Sequence, residues 1–170
     1  MELTGFDPAV LDELYKLASS TLCSTLSGQI MTALMVRGPS PGDVSYASHE
    51  AEKLAIFESL KRRSTIVSNG LNQIPGFRCQ KASGSMYCFP AVDLPVNAVQ
   101  QAAAKGESPD SLYCKSLLRR TGICVVPASG FGQREGRFGF RTTFLPSEAE
   151  MERCVALIRQ HHEEFCETYS

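Results

Sequence analysis
The segment spanning residues 122–146, GICVVPASGFGQREGRFGFRTTFLP, constrains this chain more than any other. Residues 123–126 are short, β-branched and apolar and stop at Pro127, which predicts a buried strand. Residues 128–136 carry three glycines and few apolar groups. They predict a loop whose backbone can approach something closely. Residues 137–144 then alternate. Phe138, Phe140, Thr142 and Phe144 fall on one face of a strand, and Arg137, Gly139, Arg141 and Thr143 on the other. The aromatic face calls for a core. The opposite face sets Arg141 between two small neighbours, Gly139 and Thr143, which leave room around a guanidinium. An arginine on a strand is commonly a surface ion-pair partner. Its planar fork also matches a carboxylate with two parallel hydrogen bonds. The pattern alone admits both readings.

The remaining elements follow from local signals. Asp7-Pro8 predicts a helix start, with Val10, Leu11, Leu14, Tyr15 and Ala18 at helical spacing after it. Residues 19–28 form a hydroxyl-rich break, and residues 29–35 predict a short helix that is apolar almost all round. Such a helix needs partners on every side. Residues 38–42 (GPSPG) predict a turn or linker. Residues 43–74 predict one long helix with Leu54, Phe57, Leu60, Val67 and Leu71 on one side, closed by Pro75-Gly76. Its Lys61-Arg62-Arg63 run reads as a solvated face. Residues 77–81 and 85–89 predict short strands around the turn Ala82-Ser83-Gly84, and residues 91–94 extend or follow that sheet. Residues 95–104 and 111–120 predict helices with a loop at 107–110 between them. Ser147 and Glu150 fit a capping box for a last helix. Its stripe is Met151, Val155, Ile158 and Phe165, with His161 and His162 expected on the exposed side. These elements predict an α+β fold, a small mixed or antiparallel sheet covered by helices, with a long helix and an N-terminal helical extension.

Composition narrows the function classes. A net charge of −1 gives no electrostatic footprint for nucleic acid or an acidic membrane. The apolar runs are far short of a bilayer span. No basic segment followed by an apolar one opens the chain, so no secretory signal is expected. The seven cysteines form no C-x-x-C pair and only three histidines exist, so no metal site is expected. The cysteines read as small buried hydrophobes in a reducing compartment, and a cytoplasmic location is expected, with an organellar one as the alternative.

GICVVPASGFGQREG followed by FRTTFLP resembles the C-terminal end of the alanine aminotransferases, pyridoxal-phosphate enzymes of fold-type I. GSMYCFP, residues 84–90, resembles another strand of the same family, and the likeness covers nearly the whole chain. The resemblance implies that Arg141 holds the substrate α-carboxylate. It implies that residues 1–42 are the end of the large domain at a subunit interface, residues 43–74 an interdomain helix, and residues 75–170 the small domain. It brings Ser24 or Thr25 within reach of a neighbouring active site, although ordinary helix-capping hydroxyls are the commoner explanation of such residues. It implies a homodimer, an amino-acid or 2-oxo-acid substrate, and a large domain supplied from outside this chain.

A transaminase of this kind needs a Schiff-base lysine, an acidic partner for the cofactor ring, a phosphate cradle and a carboxylate-binding arginine. Lys16, Lys53, Lys61, Lys81, Lys105 and Lys115 do not stand in the family's Ser-x-x-Lys setting. No residue here is assigned to catalysis or to the cofactor, and pyridoxal phosphate is not expected to bind this chain covalently. The expectation is a C-terminal portion of an alanine:2-oxoglutarate transaminase, inactive alone, whose Met1 is an internal residue of the parent. A glutamate–glyoxylate transaminase and a non-catalytic interaction module are the alternatives.

Overall fold
The computed structural model describes residues 3–134 and 136–170. The backbone divides into two compact units, one reaching to Glu50 and one comprising Ala51–Ser170.

The first unit carries helices α1 (Pro8–Ser19) and α2 (Leu26–Val36). Asp7 caps α1: its Oδ1 accepts from the Ala9 N–H at 2.8 Å, and Pro8 takes the first position, where no donor is needed. Every residue of α2 is exposed within its unit, including Leu26, Ile30, Leu34 and Met35. Helix α3 (Tyr46–Asn72) begins in this unit and continues into the second. The apolar side expected of it is buried only in part. Leu54 and Phe57 are exposed, whereas Val67 and Leu71 are buried.

The second unit holds β1 (Phe77–Arg78), β2 (Tyr87–Cys88), β3 (Ala91–Val92), α4 (Val96–Ala104), α5 (Pro109–Thr121), β4 (Val126–Pro127), β5 (Phe140–Thr143) and α6 (Glu148–Thr168). The sheets are antiparallel: β1 pairs with β3, and β5 lies between β2 and β4. An Ala91–Gly139 bridge and the bonds Val92 N–H to Phe138 O and Phe140 N–H to Pro90 O stitch the two together. The core below them gathers Leu71, Ile74, Phe77, Val92, Tyr113, Leu117, Phe140, Phe144, Ile158 and Phe165.

Several expectations shift. The strand expected at 123–126 is instead Val126–Pro127, and Cys124 and Val126 are exposed. Proline is tolerated there because β4 is an edge strand, so its missing N–H costs no ladder bond. The alternating strand starts at Phe140 rather than 137. Residues 77–81 and 85–89 do not pair with each other: β1 turns to β3 and β2 to β5. Of the loop expected at 107–110, residues 107 and 108 remain outside the helix, and α5 already starts at Pro109 with Ser108 at the N-cap position. The Lys61-Arg62-Arg63 run is not simply solvated. Arg62 Nε reaches Glu148 at 2.9 Å, and Arg63 donates to the carbonyls of Leu145 and Pro146. Cys23 and Cys124 are exposed, against the expectation of buried cysteines.

Both histidines of α6 are buried, His161 to 2% exposure. His162 lies on the stripe after all, four residues from Ile158 and three from Phe165, and its ring meets Phe77 edge-on at 4.8 Å. His161 packs against Tyr113 at 4.9 Å, with Nε2 at 3.0 Å from Ser116 Oγ. Burial, with help from the Arg120 charge, lowers His161 to about 4, and burial also lowers His162. The unfolded chain therefore binds protons that the folded chain refuses, so stability falls as pH drops below about 6.5. From pH 7 to pH 5 the expected loss is roughly 2 kcal/mol for His161 alone. Urea midpoints across that range check it. His161→Gln should flatten the slope, and an unchanged slope would refute the assignment.

Gly139 sits where two backbones nearly touch. A Cβ there would lie 2.4 Å from the Pro90 carbonyl oxygen, a fixed backbone atom of the neighbouring segment. Gly139→Ala is expected to cost about 1–3 kcal/mol or more, because the sheet must open to admit it. Denaturant unfolding measures this directly.

Candidate functional site
The register of β5 decides what surrounds Arg141. Thr143 stands opposite Tyr87, and Arg141 opposite Val126. Residues opposite one another share a face, as do residues two apart on one strand. Tyr87 is therefore one diagonal step from Arg141 on the same face. The guanidinium carbon lies over the Tyr87 ring, 4.6 Å from its centroid. It also lies over the Phe131 ring at 4.8 Å. Phe131 ends a single 3-10 turn, Ala128–Phe131, that follows β4 directly, and Phe89 packs edge-on against it at 5.4 Å.

Arg141 is half-buried. Among the described residues no carboxylate stands within ion-pairing distance of it; Glu148 pairs with Arg62, and Glu150 bonds to Ser147. Its charge is met by ring faces instead, through the negative potential above each ring. Ring faces leave the N–H donors open to a planar anion. Gly139 answers to a demand other than making room for the guanidinium, namely the approach of Pro90 to the backbone.

The turn carrying Phe131 is pinned from below. Asp110, 3% exposed, accepts the Ser129 N–H at 2.7 Å through Oδ2. Ser108 Oγ and Ser129 Oγ stand 2.9 Å apart. Sequence reasoning missed Asp110, Tyr87, Phe89 and Phe131. The SMYCFP and ASGF motifs contained three of the four, but neither motif shows that Tyr87 and Phe131 meet at Arg141 or that Phe89 backs Phe131.

The other candidate residues lie elsewhere. Thr25 takes the N-cap position of α2 without a capping bond from its hydroxyl, and the Ser24 carbonyl accepts from Gln29 Nε2 at 3.0 Å. All six lysines are exposed, and none is enclosed in an apolar pocket. Among the described residues no group of three potential metal ligands forms, and no helix is long and apolar enough to cross a membrane.

The chain is 46% identical over 169 residues to a probable mitochondrial alanine aminotransferase of Dictyostelium discoideum, which covers 99% of this chain and 32% of that protein. The chain is a homologue of the alanine aminotransferases. A mitochondrial alanine aminotransferase 2 of Arabidopsis thaliana is 43% identical over 169 residues, and this homologue covers 31% of it. Glutamate–glyoxylate aminotransferase 1 of Arabidopsis thaliana stands equally near, at 44% over 168 residues and 35% of its length. The chain thus spans about a third of the length of the curated relatives it matches, corresponding to their C-terminal portion. Its fold is that of the small domain of fold-type I aminotransferases. The alanine aminotransferase structure from Pyrococcus furiosus superposes with a TM-score of 0.65 at 24% identity, over 88% of this chain and 33% of that one. The aspartate aminotransferase from Rhizobium meliloti superposes at 0.52 and 25% identity, over 82% of this chain and 30% of that one. No family model matches the chain.

Proposed function
We propose that this chain supplies the substrate-carboxylate side of an aminotransferase that moves an amino group between L-alanine and 2-oxoglutarate, giving pyruvate and L-glutamate. The observation that carries the reading is Arg141, half-buried, faced by two aromatic rings and unpaired with any carboxylate of the described residues. A guanidinium in that state offers two parallel donors to the carboxylate that amino acids and 2-oxo acids share. Binding there orients the substrate so that its α-carbon is held for reaction. In this reading residues 1–42, 43–74 and 75–170 are the end of a large domain, an interdomain helix and the small domain. The exposed apolar residues of α2 are then covered by the remaining large domain and a second subunit.

Pyridoxal phosphate is the cofactor that the likeness implies for the whole enzyme, where it would act as the electron sink. The residues present do not fit its covalent link, since all six lysines are exposed and none stands in an apolar pocket or beside Arg141. In this reading that lysine comes from the remainder of the enzyme. Arg141→Lys in the longer aminotransferase tests the assignment: kcat/KM should fall at least about 30-fold with cofactor uptake intact. Unchanged kcat/KM would discard it. The 44% identity to a glutamate–glyoxylate aminotransferase favours a second reading, in which glyoxylate replaces pyruvate as the oxo-acid partner. Comparing the two oxo acids as amino acceptors separates them.

A further inference from the structure
We infer that Tyr87 and Phe131 are positioning residues for Arg141, holding its guanidinium by their ring faces so that its donor edge stays aimed at substrate; this rests on the carboxylate-binding reading of Arg141.

An arginine that binds a carboxylate faces two conflicting demands. It must be held in one rotamer, since ordering a long side chain at the moment of binding weakens binding. Its N–H groups must also stay open, since those are what the ligand takes. A protein carboxylate meets the first demand and defeats the second, because it occupies the same donors. An aromatic face meets both. It attracts the cation through its quadrupole and accepts no in-plane hydrogen bond.

Arg141 has two such faces, at 4.6 and 4.8 Å from the guanidinium carbon. Core filling does not explain them: Tyr87 is 41% exposed and Phe131 is 45% exposed. Each ring is fixed by a separate device. The β2–β5 ladder holds Tyr87 opposite Thr143. The Asp110 carboxylate holds the turn of Phe131 through the Ser129 N–H, and Phe89 braces the ring from its edge. Open apolar surface supported this carefully, and aimed at one cation, serves that cation.

The test uses the longer aminotransferase carrying this chain. Tyr87→Leu and Phe131→Leu should each raise KM for alanine and for 2-oxoglutarate together, by about 2- to 30-fold, with kcat moved less. Tyr87→Phe keeps the face and should restore near-normal KM. Progressive fluorination of Phe131 drains negative charge from the face while nearly preserving shape, so KM should climb step by step with each fluorine. A flat fluorination series beside a damaged Phe131→Leu would mean packing alone and would overturn the proposal. Normal KM in both leucine variants, with Arg141→Lys impaired, would overturn it while leaving the carboxylate reading of Arg141 intact. Normal kinetics in Arg141→Lys as well would remove both.

Discussion
If the chain serves an aminotransferase as proposed, Arg141→Lys in that enzyme is expected to fold, to take up cofactor, and to lose about 30- to several-thousand-fold in kcat/KM. The range follows from the cost of breaking one partner of a desolvated, hydrogen-bonded charge pair, roughly 2–5 kcal/mol, at about 1.4 kcal/mol per tenfold. Lysine keeps the charge and the ring faces of Tyr87 and Phe131 but offers no planar fork. The loss should be alike for alanine, glutamate, pyruvate and 2-oxoglutarate, because each carries the same carboxylate beside the reacting carbon. Steady-state kinetics with all four, alongside a cofactor absorbance titration, read this out. A loss confined to one substrate would place Arg141 on a side-chain group instead. The alternative role of a surface ion pair would cost about 0–1 kcal/mol of stability and leave kinetics alone.

The 170-residue chain by itself is expected to show no transamination. A Schiff-base lysine works when its amine is activated by an apolar pocket or a neighbouring cation and is placed over the substrate α-carbon. Here Lys16 and Lys61 lie beside helix glutamates, Lys115 beside Glu107, and the remaining amines are exposed. None stands within the group formed by Arg141, Tyr87 and Phe131. Purified chain mixed with pyridoxal phosphate, L-alanine and 2-oxoglutarate should release no pyruvate above the cofactor-only background. Turnover that persists through repurification would show that the chain holds a complete site.

The elements that could be read in the sequence are those whose cause is local. Asp7-Pro8 and the Ser147–Glu150 capping box each act within three residues, and both form as their spacing implies. Arg141 was singled out by residue type and by the family likeness, but its aromatic surroundings could not be read. Tyr87 reaches it only through the pairing of β2 with β5, a contact between distant segments that no local pattern encodes. Strands of two residues, such as Phe77–Arg78, are too short to show a period, so their partners could not be read either. His162 carried the right spacing for the core stripe, yet its residue type pointed outward. Burial among Phe77 and Tyr113 overrode that preference.

β5 pairs with β2 on one side and β4 on the other, and its flank at Gly139 meets Ala91. Every one of those partners precedes it in the chain. During synthesis, at roughly 5–20 residues per second, β2 leaves the ribosome about 3–11 s before residue 143 does. Through that interval Tyr87, Phe89 and the backbone edge beside them have no native strand to join. A nascent chain stalled with β2 outside the ribosome and β5 still inside should therefore recruit holding chaperones at the β2 segment, and release them once β5 emerges.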